Sequence, residues 1–143
     1  MLVEGGGIPL GRVLAGAHRH DSPLLEPTLD RLAGLGPLPA QVTVHLDAGY
    51  DSTKTRTLLA DRGLHGEIAH KGEKAPIQAS RRWHVERTNA WHNGFNRFQR
   101  CYERRERVID AYFDLADAII TVRRLIRQAW TTHRWDTRPA RRP

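Results

Sequence analysis

A strand, a helix and a second strand follow one another closely in the middle of the chain, and this order limits the folds open to the sequence. Residues 41–47 alternate between apolar and polar side chains, which predicts a strand. Ser52 is placed to cap a helix over residues 53–62, Gly63 is placed to end it, and residues 64–70 are typical of another short strand. Strands that alternate with helices predict an α/β fold.

The segments on either side add an antiparallel hairpin and further helices. Apolar runs at residues 1–3 and 8–17 flank Glu4 and three glycines, which predicts a β-hairpin. Ser22 followed by Pro23 predicts a helix start, and Asp21 is interpreted as a capping residue. Residues 108–130 have apolar side chains at helical spacing and are predicted to form a long, largely buried helix. The complete order predicts a mixed sheet with flanking helices.

One segment, residues 81–103, combines aromatic and charged side chains in a helical pattern. We predict a single helix in which four aromatic side chains form one stripe: Trp91, Phe95, Phe98 and Tyr102. The nearly opposite face is polar and carries Glu86, Asn93, Arg97 and Arg100. On local grounds alone, Glu86 is typical of a surface acid paired with a neighbouring arginine.

Charge is distributed unevenly along the chain, which has a formal net charge of +7. Residues 1–80 contain 8 Lys and Arg against 9 Asp and Glu, whereas residues 81–143 contain 15 against 7. A basic half of this kind predicts a polyanionic partner, and nucleic acid is the natural one. The alternative is a basic surface that serves only solubility.

Cysteine content and hydropathy exclude several classes of protein. The single cysteine rules out an intramolecular disulfide and a cysteine zinc cluster, and it fits a reducing, intracellular compartment. No run of 18 apolar residues is present, so we expect no membrane partner. The length of 143 residues is sufficient for one domain with a real core.

Two carboxylates stand where they could act together. Asp47 follows a predicted strand that leads into a helix, and ligands bind at that edge of open α/β sheets. Glu86 projects from a later helix, 39 positions further along. Hard oxygen ligands suit Mg²⁺ or Mn²⁺, and phosphoryl transfer benefits from two such ions. The alternative for Asp47 is a turn-forming residue before a glycine.

The segments around these two acids resemble motifs of a known family. LDAGYDS around Asp47 and RRWHVERTNAWHNGFNRFQRCYE around Glu86 are similar to the second and third acidic motifs of bacterial insertion-sequence DDE transposases. The GGGIPLGRVLAGAHRHDSPLLEPTL segment is similar to the hairpin and helix of the same catalytic domain. The resemblance extends to about Trp130. It implies a ribonuclease-H-like fold, a DDE triad, two divalent metal ions, Mg²⁺ or Mn²⁺, and DNA strand cleavage and strand transfer.

The resemblance also assigns roles to individual residues. Asp47 matches the second acid of the triad and Glu86 the third, so both are expected to be catalytic and to bind metal. Arg82 matches the basic residue one turn before the glutamate. Related proteins often have a lysine seven positions after it, where this chain has Asn93; Arg97 is a possible substitute. The predicted DNA-binding residues are Arg82, Arg87, Arg97 and Arg100.

The first acid of the triad has no match, because it is expected upstream of the hairpin. We therefore expect residues 1–130 to be a truncated DDE transposase catalytic domain that lacks its first strand and is inactive alone, followed by a basic disordered tail over residues 131–143. DNA is the expected partner, with self-association possible, in the bacterial cytoplasm at the nucleoid. Two alternatives remain: a basic nucleic-acid-binding module without chemistry, and a ribonuclease-H-like nuclease that uses another acid.

Overall fold

The computed structural model of the chain describes residues 1–16, 18–70, 72 and 83–132. In these residues, four strands form two separate two-stranded sheets, and five α-helices surround them. The predicted α/β class is confirmed. The single mixed sheet is not formed in this part of the chain, because the two sheets meet through side chains rather than through a shared ladder of backbone hydrogen bonds.

The first sheet is the predicted hairpin, shorter than expected. Strand β1 (Leu2–Val3) pairs antiparallel with strand β2 (Pro9–Gly11). Gly7 adopts a φ of 89°, and its amide donates to the carbonyl of Glu4 at 2.8 Å. Only glycine adopts that φ readily, so the turn depends on this residue.

The segment after the hairpin is helical, but its start differs from the prediction. A 3₁₀ helix (Ser22–Leu24) leads into helix α1 (Leu25–Asp30), and a second 3₁₀ turn (Arg31–Leu35) follows. Asp21 occupies the cap position without a side-chain hydrogen bond, so both the Ser22 cap and the capping role of Asp21 are wrong. The backbone of Asp21 is already helical, whereas a capping side chain needs extended backbone to reach the first amides.

The strand–helix–strand unit is confirmed. Strand β3 (Thr43–Leu46), helix α2 (Thr53–Asp61) and strand β4 (His65–Ile68) follow in order, and the two strands are parallel. The Ser52 hydroxyl accepts from the Thr55 amide at 3.1 Å, as a helix cap does.

One hydrophobic core lies between the helices and both sheets. Its buried members are leucines and a valine from α1, the following 3₁₀ turn, β3, α2 and the start of β4: Leu25, Leu29, Leu32, Val44, Leu59 and Leu64. Leu2 and Leu10 of the hairpin and Leu46 of β3 pack against it. The two sheets are therefore held together by burial of apolar surface.

The predicted helix over residues 81–103 is divided. Helix α3 (Trp83–Asn93) ends before Gly94, and the short helix α4 (Asn96–Gln99) begins after Phe95, whose backbone is extended. The break changes the helical phase, so the four aromatic residues do not form one stripe. Phe98 packs on Phe113 at 4.2 Å, whereas Tyr102 lies beyond α4 and is 89% exposed.

The last helix, α5 (Glu106–Thr132), has the predicted position but packs through a different face. Helical spacing predicts a main apolar stripe at positions 108, 112, 115, 119, 122, 126 and 129, which Ala116 and Ile120 only widen. The buried residues are instead Ala116 and Ile120. Positions 115, 122, 126 and 129 of the main stripe are exposed, so the helix is not largely buried. The large exposed apolar side chains of α5 are Leu115, Val122, Leu125, Ile126 and Trp130.

Some predictions fall outside the described residues. These are Arg81 and Arg82, most of the loop at residues 71–80, and the tail from residue 133 onward. Helix α5 includes residues 131 and 132, which were predicted to belong to the tail. No α-helix among the described residues is both long enough and apolar enough to span a bilayer.

Candidate functional site

Asp47 lies at the carboxyl end of strand β3, as predicted. Its backbone is extended, with φ −69° and ψ 156°, and it precedes a 3₁₀ turn over Ala48–Tyr50. The carbonyl oxygen of Asp47 accepts from the Tyr50 amide at 2.9 Å. This turn fixes the position of the Asp47 side chain at the edge of the sheet where α/β proteins bind ligands.

The neighbourhood of Asp47 contains a second acid. Burial, followed by the negative charges of Asp21 and Asp47, raises the pKa of the Tyr50 phenol above its usual 10.0. Burial also lowers the pKa of the amino group of Met1, and the charge of Asp21 partly opposes this. The negative charges of Asp21 and Asp47 therefore both act on Tyr50.

Sequence reasoning missed the place of Asp21. Its interpretation as a helix cap relied on Ser22 and Pro23, which are local features. Asp21 lies well beyond the end of β2 at Gly11, whereas Asp47 directly follows β3, so no local pattern indicated that the charges of both acids act on Tyr50.

Glu86 lies in the first turn of helix α3 with an exposed side chain. Its helix is held against the hairpin by the two residues that follow it. The hydroxyl of Thr88, which is completely buried, lies 2.7 Å from the Gly7 carbonyl oxygen and 3.0 Å from that of His84. Arg87 donates through Nη2 to the Gly6 carbonyl at 2.7 Å. The hairpin turn thus sets the position of the helix that carries Glu86.

Arg87 is also enclosed by aromatic rings. Its guanidinium carbon lies 4.0 Å from the centre of the Trp83 ring and 5.0 Å from that of Trp91. Burial, with the positive charge of Arg124 next in importance, lowers the pKa of Arg87. Binding of DNA by Arg87 stays a prediction, and the contact that the structure shows is the hydrogen bond of Arg87 with the hairpin turn.

The other predicted DNA-binding residues lie further along the chain. Arg97 and Arg100 are exposed and line a shallow cleft with Tyr112 and the 101–103 segment. Asn93, at the position where related proteins have lysine, is exposed at the end of α3. Arg82 lies outside the described residues.

A polar network connects the hairpin, α3 and α5. Arg12, just after β2, binds three acids one turn apart on α5: Asp110, Asp114 and Asp117, at 2.9, 2.5 and 2.5 Å. Burial alone would lower the pKa of Arg12, but hydrogen bonds and charges from these acids raise it. The buried His92 of α3 contacts Asp117 at 2.6 Å. These contacts fix α3 relative to α5 and therefore also limit where Glu86 can lie.

No group of three His, Cys, Asp or Glu side chains within the described ranges lies close enough together to hold a metal ion. The charges of Asp21 and Asp47 both raise the pKa of Tyr50. The predicted approach of the Glu86 carboxylate to that of Asp47 stays a prediction.

Comparison with known proteins identifies the family. The chain belongs to the Transposase DDE domain family, which it matches over residues 1–111. It is 34% identical over 126 residues to a protein assigned as the transposase for insertion sequence element IS402 of Burkholderia cepacia. That region is 84% of this chain and 60% of the relative, so the chain spans about three fifths of the relative's length. No solved structure matches the chain. The resemblance to insertion-sequence DDE transposases is confirmed.

Proposed function

We propose that this chain is part of the catalytic domain of a DNA transposase, with a ribonuclease-H-like fold and metal-dependent strand cleavage and strand transfer as its chemistry. The observation that carries the proposal is the position of Asp47 at the carboxyl end of β3, hydrogen-bonded to the Tyr50 amide, in a chain of the DDE transposase family. DNA is the substrate, and the bacterial cytoplasm, at the nucleoid, is where it acts.

The proposed metal ligands are Asp47 and Glu86. Carboxylate oxygens are the donors that Mg²⁺ and Mn²⁺ prefer, so the residue types fit the ions. When bound, such ions activate a nucleophilic oxygen and stabilise the leaving oxygen of a phosphodiester. The charge of Asp21 near Asp47 adds to the negative potential that would attract a cation to this edge of β3.

The chain's own residues position these acids. The 3₁₀ turn after β3 orients Asp47, and the contacts of Arg87 and Thr88 with the hairpin turn hold the first turn of α3. Arg97 and Arg100 are placed to contact DNA phosphates on the exposed surface beyond α4. Tight positioning matters because the reacting atoms must be held in a narrow range of distances.

We also propose that the chain alone does not cleave DNA. The family active site uses three acids, and only Asp47 and Glu86 match them in the sequence motifs. The remaining candidate function is a nucleic-acid-binding module without chemistry. It is favoured by the lack of a three-ligand group among the described side chains.

Binding of Mn²⁺ followed by electron paramagnetic resonance separates the two functions. We expect weak binding by the native chain, and at least a tenfold weaker binding in Asp47→Asn and in Glu86→Gln, because each removes a charged ligand. Asp61→Asn, which removes an exposed acid at the end of α2, is the matched control and should bind as the native chain does. Mn²⁺ binding of the same strength in the native chain, Asp47→Asn and Glu86→Gln would favour the nucleic-acid-binding module without chemistry.

A strand-cleavage assay on transposon-end DNA with Mg²⁺ or Mn²⁺ tests activity directly. The chain alone should give no turnover. Metal-dependent cleavage by the chain alone that is lost in Glu86→Gln would show that another acid completes the site, as the ribonuclease-H-like nuclease alternative requires.

We further propose that the chain associates with a second copy through α5. The exposed side chains Leu115, Val122 and Ile126 recur at helical spacing and form an apolar face away from Ala116 and Ile120. Exposed apolar patches of this kind are typical of protein interfaces.

A further inference from the structure

Two arginines from different helices meet at the hairpin turn. Arg87 of α3 donates to the Gly6 carbonyl at 2.7 Å, and its Nη2 would lie 3.0 Å from a Cβ placed on Gly7. Arg124 of α5 would have its Nη2 and Nε 3.1 and 3.2 Å from a Cβ placed on Gly6. Arg87 therefore packs on Gly6 and Gly7, and Arg124 packs on Gly6, which the Glu4 carboxylate also approaches. A side chain on either glycine would crowd these groups.

A third arginine adds to the positive charge of this cluster. Arg127 lies one turn after Arg124 on α5. The Glu4 carboxylate lies at the same turn, next to Gly6. Glu4 accepts a hydrogen bond from the Ile8 amide at 3.2 Å, so part of its acceptor capacity is used within the hairpin. The guanidinium groups of Arg87 and Arg124 thus have one carboxylate near them at this turn.

The hydrogen bonding of the cluster is also incomplete. The Nε atoms of Arg87 and Arg124 are buried, and neither has a hydrogen-bond partner in the described structure. Buried donors without partners are costly, and clustered like charges are costly too. An anion with several acceptor oxygens would relieve both, and guanidinium groups match the geometry of phosphate oxygens particularly well.

We propose that Arg87, Arg124 and Arg127 form a phosphate-binding site at the hairpin turn. The rings of Trp83 and Trp91 fix the plane of the Arg87 guanidinium, which prepares it for the ligand. The site neighbours Glu86 in the chain, so a DNA backbone phosphate held there lies close to a proposed metal ligand. The assignment of this phosphate to DNA rests on the proposed function, whereas phosphate binding itself does not. Arg124 and Arg127 become DNA-contacting residues that the sequence motifs did not indicate.

Nuclear magnetic resonance of the arginine Nε–H groups tests the site with inorganic phosphate, at an ionic strength held constant with chloride. The resonances of Arg87 and Arg124 should shift saturably. In Arg124→Gln the shift of the Arg87 resonance should be lost or weakened at least tenfold. Arg123→Gln is the matched control, because it removes the same charge from the adjacent position of α5 and should leave the Arg87 shift intact. Circular dichroism and thermal melting confirm that each variant is folded, and Arg127→Gln provides a second variant.

Duplex DNA tests the source of the phosphate. The logarithm of the binding constant should fall with the logarithm of the salt concentration, and Arg124→Gln should reduce that slope by about 0.9, the value for one lost phosphate contact. If Arg124→Gln leaves this salt slope unchanged while the native chain still shows the resonance shifts with inorganic phosphate, the site takes phosphate from another source. That result would overturn the assignment of the phosphate to DNA. The absence of saturable shifts in the native chain would overturn the site itself. Neither result would alter the Mn²⁺ measurements, on which the proposed metal site depends.

Discussion

Tyr50 is the residue on which the charges of both Asp21 and Asp47 act. Its phenol is half-buried, and Asp21 and Asp47 both make ionisation of the phenol less favourable. The sequence motif containing Tyr50 pointed to Asp47 but gave no reason to expect Asp21 nearby. Titration of this single side chain therefore reports on the geometry of the candidate site.

The pKa of Tyr50 should fall when either acid is neutralised. We expect Asp21→Asn and Asp47→Asn each to lower it, since each removes a negative charge that disfavours the phenolate. Absorbance of tyrosinate during an alkaline titration measures the pKa, and Tyr50→Phe identifies the contribution of Tyr50 among the three tyrosines. Asp61→Asn is the control and should leave the pKa unchanged. A pKa of Tyr50 that is insensitive to Asp21→Asn would place that acid elsewhere.

The same shift predicts a dependence of stability on pH. The folded-state pKa is raised above 10.0, so the folded chain holds the phenolic proton more tightly than the unfolded chain does. This stabilisation is complete below pH 10 and is lost as the pH rises through the folded pKa. Urea unfolding should therefore show a steeper loss of stability above pH 10 for the native chain than for Tyr50→Phe.

At the scale of elements, the critical contact is between α3 and the hairpin. Thr88 is completely buried, and its hydroxyl donates a hydrogen bond to the carbonyl oxygen of Gly7. Gly7 is also the residue of the turn that has a positive φ. This contact couples a glycine turn to the helix that carries Glu86. The helix and the turn are therefore expected to lose order together.

Thr88→Val tests this coupling. The substitution keeps the shape of the side chain but removes the hydroxyl, leaving a buried carbonyl without its donor, and should destabilise the fold by about 1–3 kcal/mol. Thr53→Val, at an exposed position at the start of α2, is the control and should change stability by less than about 0.5 kcal/mol. Urea unfolding measures both, and amide hydrogen exchange should show faster opening of the hairpin turn in Thr88→Val alone. Equal stability of the two variants would contradict a structural role for this hydroxyl.

At the scale of the whole molecule, α5 presents two different apolar faces. One face packs on the rest of the fold through Ala116 and Ile120, and another face exposes Val122 and Ile126 by 54% and 52%. A helix with an unpartnered apolar face is favourable in solution only when that face is covered. The proposed second copy would cover it.

Val122→Glu should abolish self-association. A charge at the centre of the apolar face would be buried without a partner in the dimer, which is strongly unfavourable. Sedimentation velocity should show a concentration-dependent dimer for the native chain and a monomer for Val122→Glu. Leu38→Glu changes another exposed apolar side chain, 41% exposed and outside α5, and should leave the dimer intact. A native chain that remains monomeric at high concentration would contradict the proposal.

The local elements of this protein were predictable, and the reasons are themselves local. Alternation placed β3, a capping serine placed the start of α2, and Gly63, with a φ of 64°, ended it. The position of Asp47 at the end of its strand followed from the same rules. In contrast, the break between α3 and α4 was missed, because Gly94 inside a helical pattern does not by itself end a helix.

The sequence alone determined the succession of strands and helices, the family and the position of Asp47, because each depends on residues within a few positions of one another. Tertiary structure alone decided which face of α5 is buried, and which acids meet. Arg12 and Asp117 are 105 positions apart, and no local pattern indicates their pairing. The main apolar stripe predicted for α5 is mostly exposed, because the hairpin and α3 pack against the other side of the helix. On that side Arg12 binds the acids of α5, and His92 contacts Asp117. Burial depends on what packs against a face, and this information lies in distant parts of the chain.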